Sequence, residues 1–71
     1  MHDALAAEQA RLLHHTIAGT GIPVHHLWWH YFTLGGNAGP LEVDAYLHQA
    51  LHLPRLDRQL LDHAAGELRT D

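Results

Sequence analysis

Proline and glycine punctuate this 71-residue chain so closely that only short elements fit between the breaks. Glycines stand at 19, 21, 35, 36, 39 and 66, and prolines at 23, 40 and 54. Proline suits the start of a helix, where its missing N–H costs nothing, and glycine suits the stop. Four helical segments are predicted, at about 3–18, 23–34, 40–52 and 54–68. Thirteen leucines and ten alanines favour helix in all of them. The expected fold is all-α: a compact bundle of four short helices, with 1–71 as a single helical domain.

Apolar spacing fills in the core. In the first segment Asp3 is placed to cap the N-terminus. Ala6, Ala10, Leu13 and Ile17 form one stripe, widened by Leu5 and Leu12. In the second, Val24, Leu27, Trp28, Tyr31, Phe32 and Leu34 face one way. In the third, Val43, Tyr46, Leu47, Ala50 and Leu51 follow i, i+3, i+4, i+7, i+8, and Glu42 falls in the first turn, where the helix dipole favours an anion. In the fourth, Leu56, Leu60, Leu61, Ala64 and Leu68 form the buried side, Arg58 can pair with Asp62, and Gly66 weakens the end. Segments three and four are joined by barely one residue, which predicts an abrupt corner. The run Gly35 to Gly39 is a connector, and the expected most mobile internal stretch. It lacks the lysine of a phosphate loop and follows a helix where a strand is required.

A chain this short buries only about 60% of the surface its unfolded form exposes. It has no cysteine, so no disulfide adds to its stability. A well-filled core, a metal or a partner must supply the rest. The N-terminus shows no basic run before an apolar stretch, and no apolar segment approaches the ~20 residues of a membrane span. A cytoplasmic protein that does not engage membranes is expected. The use of arginine to the exclusion of lysine, with abundant Ala, Leu, Gly and His, points to a GC-rich bacterial genome.

Composition then narrows the chemistry. Serine, cysteine and lysine are all absent, while nine residues are histidine. Nucleophilic catalysis would fall to Thr, His, Asp or Glu, and no nucleophile–base–acid arrangement can be picked out. A bundle of this size seldom encloses the ~300 Å³ that a small-molecule site needs. The chain is expected not to be an enzyme. Absence of serine also excludes a phosphopantetheine carrier. Formal net charge is −4, and the only fixed cations are four scattered arginines. That set neutralises few phosphates, so nucleic-acid binding is not expected.

Three readings of function follow. The first is a protein-interaction module that self-associates as a homo-oligomer or docks on another protein. Its face carries His25, His26, Trp29 and His30, opposite the core stripe of segment two. A large aromatic out of phase with the core is a common mark of an association surface. The alternative, a second segment packed on two sides, also keeps Trp29 from bulk water. The second reading needs Zn²⁺ or Ni²⁺, where the first needs no cofactor. Asp44, His48 and His52 stand at i, i+4 and i+8, and would form a row winding by about 40° per step along one helix. Two histidines at i, i+4 can hold a transition metal beside a carboxylate, with further ligands from another segment or subunit. His26 and His30 have the same spacing without the carboxylate. The doublets His14-His15 and His25-His26 read as solvated helix surface with one member near the core edge, His63 as surface, and His2 as terminal. The third reading is a helix-turn-helix regulator built on the tight corner. Arg55, Asp57, Arg58 and Asp62 leave its reading helix almost neutral, which counts against it.

Overall fold

A computed structural model describes residues 4–70; Asp3 and His2, given roles above, lie outside the described residues. Among the described residues four helices follow in order: α1 Ala4–Thr20, α2 Val24–Thr33, α3 Pro40–Leu47 and α4 Arg55–Arg69. The all-α bundle expected from the spacing is what forms. α2 lies chiefly against α4, while α1 packs on both α3 and α4 and α2 also meets α3.

The helices end where the backbone turns left-handed. At the end of α1, Gly21 has φ 77°, its N–H reaches Ala18 O, and the Ile22 N–H reaches Ile17 O at 3.0 Å. This paired 5→2 and 6→1 pattern is a Schellman cap. Gly19 therefore lies within the helix, which runs two residues past the expected stop. α2 closes the same way through Gly35, φ 105°, with Gly35 N–H on Phe32 O and Gly36 N–H on Tyr31 O. α3 closes through Gln49, φ 59°, with Gln49 N–H on Tyr46 O and Ala50 N–H on Ala45 O. This cap cuts the third helix at Leu47, five residues short of expectation. Residues 48–54 then form the connection to α4 in place of a one-residue corner.

The shorter α3 changes which side chains reach the core. Ala50 and Leu51 are exposed, and Leu53 enters the core in their place. Pro54 sets this up by disfavouring a helical conformation at Leu53. The Leu53 carbonyl accepts a hydrogen bond from Arg58 Nη1 at 3.0 Å. Arg58 was expected to pair with Asp62, but Asp62 instead accepts from Gln9 Nε2 of α1. Three further corrections concern phase. Leu5, Leu12 and Leu56 were placed in the core, yet all three are exposed. α4 also continues through Gly66 to Arg69 without fraying there.

The core proper gathers Ala10, Leu13 and Ile17 of α1, Leu27 and Tyr31 of α2, Val43, Tyr46 and Leu47 of α3, and Leu61, Ala64 and Ala65 of α4. Full burial of one such leucine stabilises the fold by about 1.5–3 kcal/mol. Tyr31 also joins three segments through its hydroxyl. That hydroxyl donates to Asp57 Oδ1 at 2.6 Å and accepts from the Ala38 N–H at 2.9 Å. Its ring covers Gly36 so closely that a Cβ there would stand 2.1 Å from Cζ. Trp28 Nε1 adds a hydrogen bond to Ala38 O at 2.9 Å. The glycine-rich connector is thus fastened at its middle by two aromatic side chains, where composition alone suggests a loose loop.

Candidate interaction surface

Helix α2 carries ten residues, VHHLWWHYFT, none of them Asp, Glu, Lys or Arg. Its inward stripe is Leu27 and Tyr31, with Val24, Trp28 and Leu34 half-buried beside them. Trp28, Phe32 and Trp29 follow one another round the helix at steps of about 40–60°, leading from the edge of that stripe towards its far side. There Trp29 and Phe32 remain 58% and 48% exposed. Phe32, assigned to the core by spacing, sits at the edge of the stripe and turns outward.

Three rings on this flank form a continuous plate. Phe32 stacks on Trp28 with centroids 5.4 Å apart and planes 27° apart. It also stacks on Trp29 at 5.8 Å and 25°. The two indoles stand 5.8 Å apart with planes tilted by 52°. Trp28 is the fixed member, since its indole N–H is held by Ala38 O. The plate therefore rests on the core at one side and presents Trp29 and Phe32 to solvent. One turn earlier, His25 and His26 meet edge to face at 4.5 Å.

His30, expected on the same face, turns to α4 instead. Its Nε2 lies 2.6 Å from Glu67 Oε1, and the other carboxylate oxygen lies 3.1 Å from His63 Nε2. The hydrogen bond from His30 holds the Glu67 carboxyl below the usual carboxylate range, and the charges of His63 and His30 act in the same sense against a desolvation effect. His30 is thus a joint between α2 and α4.

The expected metal row is only partly assembled. Asp44 and His48 come together: His48 Nδ1 is 2.8 Å from the Asp44 carbonyl oxygen and 3.7 Å from Oδ1. His52 lies beyond the end of α3, so the i+8 step of the row does not exist. Among the described residues no group of three or more His, Asp and Glu is disposed to hold a metal ion. The ring that meets His48 is His14 of α1, with centroids 4.6 Å apart. Spacing could not reveal this contact, because it joins α1 to the residue just past the end of α3.

Between α1 and α4 runs an open groove of about 270 Å³, lined by Leu12, Thr16, Gly66 and Arg69 among others and spanned by the Gln9–Asp62 hydrogen bond. Among the described residues no helix is long and apolar enough to cross a membrane. Comparison with known proteins finds no matching family model, curated protein or solved structure.

Proposed function

We propose that this chain is a small non-enzymatic interaction module that self-associates through the Trp28–Trp29–Phe32 plate of α2. The observation that carries this reading is the exposure of two stacked aromatic side chains on one flank of one helix. Each aromatic side chain buries 150–250 Å² when covered, and tryptophan dominates the energetics of protein interfaces. A small bundle with a limited core has reason to cover such a plate.

A second copy is the occupant best supported by charge. The whole chain is at −4, which opposes pairing in general. α2 itself carries no carboxylate and no fixed cation, so two α2 helices meet without ionic repulsion while their histidines are neutral. A two-fold pair needs only this one surface, presented by both copies.

Sedimentation over a concentration series tests the reading. The wild type is expected to rise above its 8.0 kDa monomer mass as concentration increases. Trp29→Ala should weaken the association by about 2 kcal/mol, roughly 30-fold. A wild type that stays monomeric throughout the series overturns self-association.

A further inference from the structure

We propose that His14 and His48 form a transition-metal site that bridges α1 and α3 and takes a borderline divalent ion such as Zn²⁺, Ni²⁺ or Cu²⁺. The site is separate from the aromatic plate and does not depend on it.

Ring spacing is the first observation. A zinc–imidazole bond of about 2.0–2.1 Å sets a ring centre roughly 3.2 Å from the ion. Two such rings at a coordination angle between square and tetrahedral then have centres about 4.5–5.2 Å apart. The His14 and His48 centroids are 4.6 Å apart, with planes at 62°. Rotation of the His14 imidazole about Cβ–Cγ turns its nitrogens while leaving its centre nearly in place. The spacing between ring centres thus falls in the range that one shared ion requires.

The orientation of the His48 ring is the second. Its Nδ1 lies 2.8 Å from the Asp44 carbonyl oxygen. A carbonyl can only accept, so Nδ1 carries the hydrogen, and in the neutral ring Nε2 is the nitrogen that binds a metal. A ring N–H bonded to a carbonyl or carboxylate is the usual arrangement behind a metal-bound histidine, and it fixes which nitrogen binds. Asp44 Oδ1, 3.7 Å from the same nitrogen, adds negative charge behind the ring. The cation nearest along α1, Arg11, shares a surface hollow with His14 and is paired with Glu8. Its charge is thus offset next to the site.

Two protein ligands leave the remaining positions to water, so the site differs from a closed four-ligand structural zinc site. Its effect is to clip α1 to α3, because an ion that binds only the folded chain raises its melting temperature.

Thermal melts with and without Zn²⁺ test the site, using wild type, His14→Ala, His48→Ala and His52→Ala. The wild type and His52→Ala are expected to melt higher with zinc, and the shift should grow with zinc concentration. Both His14→Ala and His48→Ala should lose it, with affinity down about tenfold or more. Metal-free melts of the same variants show that each still folds. Trace Cu²⁺ in an NMR titration should broaden the His14 and His48 ring signals before those of His25, His26 and His63. An equal zinc shift in wild type and His14→Ala, or first broadening at His25 and His26, overturns the proposal.

Discussion

Two buried tyrosines separate what a hydroxyl contributes from what its ring contributes. Tyr31 and Tyr46 are both at most 1% exposed. The Tyr31 hydroxyl has a donor and an acceptor partner, whereas the Tyr46 hydroxyl has no hydrogen-bond partner among the described residues. Tyr31→Phe strands the Ala38 N–H and withdraws a donor from Asp57, and should cost about 1–3 kcal/mol. Tyr46→Phe removes an unpartnered polar group and should be neutral or stabilising at neutral pH. Urea melts of the two variants should therefore differ in sign or by well over 1 kcal/mol. Alkaline pH gives a second contrast. Burial, with the charge of Asp62 nearby, pushes the Tyr46 hydroxyl from 10.0 up to about 12. The unfolded chain then loses this proton first, so stability is intact below pH 10 and falls as pH rises from 10 towards 12. The slope from this one group is about 1.4 kcal/mol per pH unit. Tyr46→Phe should flatten the alkaline limb. Burial and Asp57 also raise Tyr31, so part of the slope survives in that variant.

Helix ends show which parts of the fold sequence can convey. α1 and α2 both stop on a glycine in the left-handed region, and both stops are readable from glycine alone to within two residues. α3 stops on Gln49 at φ 59°, a residue that carries no such signal. The apolar spacing continues through Ala50 and Leu51 by coincidence, so a periodic reading runs on to His52 while the backbone has already turned. That single miss removed His52 from the expected metal row and created the connection 48–54. The same physics yields a test. A non-glycine residue in the left-handed region costs about 1–2 kcal/mol, and glycine's extra chain entropy returns roughly 0.5–1 of it. Gln49→Gly should therefore stabilise the protein by about 0.5–1 kcal/mol, even though it removes the side-chain bond from Nε2 to Leu47 O. A thermal melt should move up by about 2–8 °C. The candidate surface was legible in the same uneven way. Trp29 stands half a turn or so from the core stripe, and its phase alone marks it. Phe32 lies at the border of the stripe, where spacing cannot say which way a ring turns. His14 and Glu67 owe their roles to partners outside their own helices, which no local pattern encodes, whereas His63 meets Glu67 at i, i+4 within α4.

At the scale of the whole molecule, histidine content would couple charge to the proposed association. With histidines neutral the net charge is −4, and protonating all nine would carry it to +5. The two histidines one turn from the aromatic plate, His25 and His26, have rings 4.5 Å apart. On α2 no carboxylate is present to receive their charge. If two copies pair through this helix, protonation sets like charges against each other across the interface, which is costly when water is excluded. His30 behaves differently. Glu67 is held below the usual carboxylate range, so it stays ionised between pH 7 and 5 and supplies His30 with a counter-charge. Charge on His30 therefore closes the α2–α4 joint, while charge on His25 and His26 opposes the proposed pair. Sedimentation at neutral pH of a His25→Arg, His26→Arg variant, which holds two fixed cations there, is expected to show association weakened tenfold or more. A His25→Gln, His26→Gln variant should keep its association, because amides at those positions carry no charge. Equal loss of pairing in both variants would shift the cause from charge to the loss of the two rings.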